Sequence, residues 1–80
     1  MLPNGLKLFI ADVIDSETGN QEIWYVVRET YDAALEDFIE WANETWFRYE
    51  YYFYEADQNV IEEFMEWHED EEIEIGIYDR

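Results

Sequence analysis

The sequence predicts an α+β domain: a small sheet of about four strands with two amphipathic helices on one face, in the order ββαβαβ. Three observations predict it. The first 28 residues hold two alternating apolar segments around a Gly-containing turn. Two later segments repeat apolar residues at helical spacing. The chain is also rich enough in large side chains to close a core, being 49% apolar and 20% aromatic. At 80 residues it is expected to form one domain over residues 1–80, since a second core could not be built from what remains.

Leu6 to Ile14 reads as a first strand, with Leu6, Leu8 and Ile10 on one face. Asp15-Ser16-Glu17-Thr18-Gly19-Asn20 is a polar turn in which Gly19 or Asn20 can take the positive φ such a turn requires. Glu22 to Arg28 forms the second strand, with Ile23, Tyr25 and Val27 pointing one way and Glu22, Trp24, Val26 and Arg28 the other. Thr30 or Asp32 caps a helix to about Trp46, whose stripe at 100° per residue is Ala34, Leu35, Phe38, Ile39, Ala42 and Trp46. Phe47 to Tyr54 follows without a breaker, and its run of rings suits a pleated surface better than a helix interior, so it reads as a third strand. Asp57 caps a second helix to about His68, burying Val60, Ile61, Phe64, Met65 and Trp67. Ile73, Ile75 and Ile77 alternate with Glu72, Glu74 and Gly76 as a final strand.

The charge sets limits on function. Asp plus Glu number 22 against four Lys plus Arg, a formal net charge of −18. Phosphate backbones and anionic membranes would both repel such a surface, so neither direct nucleic-acid nor membrane binding is expected. Acidic disordered tails are poor in aromatics, and this chain is not, so it is expected to fold. Cysteine is absent, which removes disulfides, thiolate metal sites and a Cys nucleophile. The opening Met1-Leu2-Pro3-Asn4-Gly5 lacks a basic segment followed by an apolar one, and no apolar run nears the ~18 residues of a membrane span. A soluble cytoplasmic protein is the expectation.

Catalytic chemistry finds little to stand on. Ser16 is the only serine and His68 the only histidine, and they come from opposite halves of the chain with no oxyanion loop in view. Three glycines and the single Lys7 make no phosphate-binding loop. His68 precedes Glu69 and Asp70, but position 65 is Met, so the helical Glu-x-x-His pair is missing. Asp12, Asp15, Glu17 and Gly19 do not match the calcium-loop register, which needs Gly at its sixth position and Glu at its twelfth. No catalytic residue, cofactor or dedicated metal site is assigned. His68 is read as a half-buried residue at a helix C-terminus, where its ring meets the dipole.

The acids are patterned as well as numerous. Residues 1–40 hold nine acids and two bases, residues 41–80 thirteen acids and two bases, and no Lys or Arg lies between Arg48 and Arg80. Ordinary surface helices mix signs, because opposite charges at i, i+4 stabilise by a few tenths of a kcal/mol. Here Glu36, Asp37, Glu40 and Glu44 lie opposite the first apolar stripe, and Glu62, Glu63, Glu66, Glu69 and Asp70 opposite the second. Carboxylates four apart on a helix rise about 6 Å, and those two apart on a strand, such as Glu72 and Glu74, lie about 6.5–7 Å apart. Phosphates along a nucleic-acid strand repeat on a comparable scale. Solubility or salt adaptation also favours acidic surfaces, but −18 far exceeds the magnitude of roughly 2–8 that solubility asks of a small domain. Strand alternation further leaves Trp24 opposite Tyr25, and Tyr52 and Tyr54 opposite Tyr49, Tyr51 and Phe53. Tyr and Trp outside the core make interface anchors that stack on Arg. A helix or the partner of a homodimer could equally cover them.

In size, charge, aromatic content and acidic ladders the chain resembles the small, acidic, phage-encoded DNA-mimic inhibitors: anti-CRISPR proteins, anti-restriction proteins and uracil-DNA glycosylase inhibitors. These share no sequence motif and adopt unrelated folds, so no residue is carried over. The resemblance implies a stoichiometric inhibitor, not an enzyme, that occupies the basic DNA-binding cleft of a bacterial defence nuclease or CRISPR effector. The residues expected to meet that partner are Glu36, Asp37, Glu40, Glu44, Glu62, Glu63, Glu66, Glu69, Asp70, Glu71, Glu72 and Glu74, with Tyr52, Tyr54 and Trp24. The alternatives are an immunity protein or antitoxin that neutralises a basic nuclease toxin, and a divalent-cation-binding acidic domain.

Overall fold

The computed structural model describes residues 2–79; Met1 and Arg80, which enter the sequence reading as the start of the N-terminal segment and the end of the base-free stretch, lie outside the described residues. Its elements run β1 (Lys7–Asp15), β2 (Gln21–Arg28), α1 (Tyr31–Thr45), β3 (Tyr49–Glu55), α2 (Gln58–Trp67) and β4 (Gly76–Tyr78). This is the α+β order ββαβαβ. The four strands form one sheet in the order β3-β1-β2-β4 with every neighbour antiparallel.

Local chemistry accounts for most boundaries. The hairpin closes through Asp15 N–H to Asn20 O (2.9 Å) and Gly19 N–H to Asp15 O (2.7 Å). Gly19 supplies the left-handed residue at φ 77°. Thr30, not Asp32, caps α1: its hydroxyl accepts from Ala33 N–H at 3.2 Å. Asp57 caps α2 by accepting from Val60 N–H at 3.0 Å, and His68 closes its far end with a backbone N–H to Phe64 O. The third strand starts at Tyr49, two residues later than the ring run suggests, because Phe47 and Arg48 form a bend. There the Arg48 guanidinium sits 5.7 Å over the exposed Phe47 ring.

The helices do not share a face of the sheet, which corrects the sequence expectation. Phe9, Ala11, Val13 and Val26 pack with Ala34, Phe38 and Ala42 of α1. Leu8, Ile10, Tyr25 and Val27 pack with Phe64 of α2 on the other side. Successive residues of a strand point to opposite faces, so α1 and α2 enclose the sheet between them. The burial of Leu8, Phe9, Ile10 and Ala11 in unbroken succession is the mark of a strand covered on both sides. The reason lies in the connections. α1 carries the chain from β2 across β1 to β3, which fills one face; the return from β3 to β4 at the opposite edge takes the other and avoids crossing it.

The last strand is also shorter than its alternation suggests. Only Gly76–Tyr78 joins the sheet, opposite Tyr25–Val27. Tyr78 folds back on the preceding segment, its hydroxyl accepting from Glu74 N–H (2.9 Å) and donating to Glu74 O (3.1 Å). That withdraws the Glu74 backbone from any ladder. Ile73 is buried, Ile75 is exposed, and Glu72 and Glu74 lie in irregular chain.

Candidate interaction surfaces

The acids follow from the way each helix is seated. With Ala34, Phe38 and Ala42 against the sheet, Glu36, Glu40 and Glu44 fall on the exposed side of α1, one turn apart. With Phe64 inward, Glu62, Glu63 and Glu66 face outward on α2. Among the described residues none of these six carboxylates has an ion-pair partner, since the pairs are Arg28–Glu29, Arg28–Asp37 and His68–Glu71.

Asp37 departs from the expected pattern. It is half-buried and accepts from Arg28 Nη1 at 2.6 Å, tying α1 to the end of β2. That hydrogen bond raises the guanidinium's pKa further above its ordinary value; desolvation opposes the rise, and the charges of Asp37 and Glu29 add to it. A carboxylate committed to an internal base is poorly placed to meet an external one. The second ladder is also interrupted, because α2 ends at Trp67 and Asp70 lies in the turn beyond, leaving Glu62 and Glu66 as its helical pair. Glu69, Asp70, Glu71 and Glu72 are exposed in that turn at the β4 edge, and Glu71 accepts from or faces His68 Nδ1 at 3.2 Å.

The aromatic residues separate in the same way. Trp24 belongs to the α1 side, where its ring lies 4.6 Å from Trp41 and Nε1 donates to Glu22 at 3.2 Å. It is packing material for α1 more than an anchor. Tyr52 and Tyr54 lie on the α2 side, opposite Asp12 and Ile10 of β1, and both are exposed. The two faces therefore divide the expected interface: Glu62, Glu63, Glu66, Tyr52 and Tyr54 share one side, while Glu36, Glu40, Glu44 and Trp24 occupy the other.

The sequence reading missed a surface beside Tyr52. α2 has 10 residues, about 15 Å of helix, whereas the nine residues of β1 span about 30 Å. The helix covers Leu8, Ile10, Tyr25 and Val27 and leaves the hairpin end of that face open. Ile14 and Ile23 are exposed there, next to Asp12, Glu50 and Tyr52. The signal was available in the strand parity of Ile14 and Ile23 combined with the unequal lengths of the two helices.

Ser16 sits exposed in the hairpin loop. His68 is buried at the end of α2, with Nδ1 against Glu71 and Nε2 3.1 Å from the Asp79 carbonyl. Its ring lies 4.6 Å from Phe64, tilted by 41°, and 5.5 Å from Tyr78, so it joins the last strand to α2 and serves the fold. Among the described residues no group of three or more His, Asp or Glu side chains is arranged to hold a metal ion. No described helix is long and apolar enough to cross a membrane.

Neither a family model, nor a curated protein, nor a solved structure matches this chain.

Proposed function

We propose that this protein is a stoichiometric inhibitor that stands in for nucleic acid and blocks the basic DNA-binding cleft of a bacterial defence nuclease or CRISPR effector. One observation carries the reading: the outward acids of both helices are exposed and unpaired, on opposite sides of one rigid sheet. The body measures 37 × 22 × 20 Å, and it offers negative charge on two sides, as a duplex does. Lys and Arg placed to neutralise phosphates would accept the carboxylates instead. Long-range attraction speeds encounter and weakens with salt. Tyr52 and Tyr54 then slow dissociation by packing against the partner. The action is binding without turnover, in the cytoplasm of the bacterial cell where the target works.

The test begins with capture of bacterial proteins on the immobilised chain at low salt and their release at high salt. Each captured protein is then assayed for DNA binding with increasing inhibitor. Loss of DNA binding at a 1:1 ratio is expected. Reversing Glu62, Glu63 and Glu66 to Lys, or Glu36, Glu40 and Glu44 to Lys, identifies the side in contact. Undiminished DNA binding at excess inhibitor for every captured protein refutes the proposal.

A further inference from the structure

We propose that the open hairpin end of the sheet, on the α2 side, docks an arginine-bearing segment of a protein partner. The surface is built by register. Tyr52 of β3, Asp12 of β1 and Ile23 of β2 form one cross-strand row; Glu50, Ile14 and Gln21 form the next. Residues directly opposite in antiparallel strands share a face, so these side chains make one continuous patch. Its apolar part is open to solvent: Ile14 is 42% exposed, Ile23 49%, Tyr54 48% and Tyr52 77%. A depression of about 380 Å³ lies on its β1–β3 side, lined by Asp12, Ile14, Glu50 and Tyr52 and bordered by Tyr51 of the α1 side.

Charge decides between occupants. The described bases lie elsewhere: Lys7 and Arg28 are a cross-strand pair on the α1 side, in phase with Phe9 and Val26, and Arg48 sits over Phe47 in the bend before β3. A second copy would bring another chain of net charge −18 against the patch and set Asp12 and Glu50 beside more acid. A basic partner neutralises them. Asp12 spends one hydrogen bond on Gln21 Nε2, at 2.8 Å, and retains lone pairs for a second donor. Among cations, a guanidinium fits best, because its plane can lie on a phenol ring while its N–H fork engages a carboxylate. A lysine ammonium offers the charge without the flat face.

The site rests on the inhibitor reading only in that the partner is a basic protein, and its test uses the intact chain. Titration with nona-arginine and nona-lysine peptides, followed by NMR, compares equal charge with and without the flat cation. Nona-arginine is expected to bind several-fold more tightly than nona-lysine, with saturating shifts centred on the Ile14 and Ile23 methyls and the Tyr52 and Tyr54 rings. Tyr52→Ala removes an exposed ring without opening the core and should cut the arginine preference, lowering nona-arginine affinity by more than nona-lysine affinity. Equal affinities, shifts spread along the helix acids, or a concentration-dependent dimer that protects Ile14 and Ile23 overturns the proposal. DNA displacement separates the two readings. If Tyr52→Ala displaces DNA as well as wild type, this site falls and the inhibitor stands; if wild type displaces no DNA yet prefers arginine here, the inhibitor falls and the site stands.

Discussion

Replacing Glu40 with lysine should make the protein more stable, and the gain can be worked from α1. Glu36, Glu40 and Glu44 all fall within Tyr31–Thr45 and are exposed, with successive carboxylates rising about 6 Å. Each like-charged i, i+4 pair costs about 0.2–0.5 kcal/mol, and an opposite-charged pair contributes about the same with reversed sign. Glu40→Lys converts both pairs, a swing of about 0.8–2 kcal/mol in total. For a domain of this size that corresponds to a rise in Tm of roughly 3–16 °C. Thermal and urea unfolding followed by circular dichroism at low salt would read it. The Debye length falls to about 3 Å at 1 M salt, shorter than the spacing of the carboxylates, so most of the gain should vanish there. An unchanged or lower Tm at low salt, or a gain that persists at high salt, refutes the view that this ladder is held together against its own repulsion.

Two further outcomes test the core. Phe38 is fully buried among Phe53, Tyr51, Tyr49 and Trp41, so Phe38→Ala should cost about 3–5 kcal/mol in chemical denaturation; a loss under about 1 kcal/mol would mean the α1 side is not packed as described. Burial first, then the neighbouring Tyr51, raises the pKa of the Tyr49 phenol. A phenol held neutral in this way contributes stability fully below its ordinary value of about 10, and that contribution is lost as pH rises through the higher folded value. Tyr49→Phe should therefore flatten the alkaline loss of stability, and an unaltered slope would count against the burial of that ring.

Strand and helix identities were legible because they depend on residues close in sequence. Alternation at Ile23, Tyr25 and Val27, the caps at Thr30 and Asp57, and the stripe of Ala34, Phe38 and Ala42 each act within a few residues. The run Leu8-Phe9-Ile10-Ala11 admits no solvent face, yet nothing local in it says which element covers each side. The site was less legible. Helical spacing puts Asp37 outward in isolation, but nothing local announces that Arg28, nine residues away, turns it inward. Nor does the alternation of Ile73, Ile75 and Ile77 reveal that Tyr78 captures the Glu74 backbone.

The sequence by itself determined an acidic α+β chain with a core of large rings, the order of its elements, and outward carboxylates on both helices. Tertiary structure decided that the helices lie on opposite faces, which splits the acids into two surfaces and separates Trp24 from Tyr52 and Tyr54. It also decided that a short α2 leaves Ile14, Ile23, Asp12 and Glu50 open beside Tyr52. The physical reason is that periodicity orients a side chain only about its own element. Which elements then meet is settled by chain crossings and by the lengths of the packed pieces.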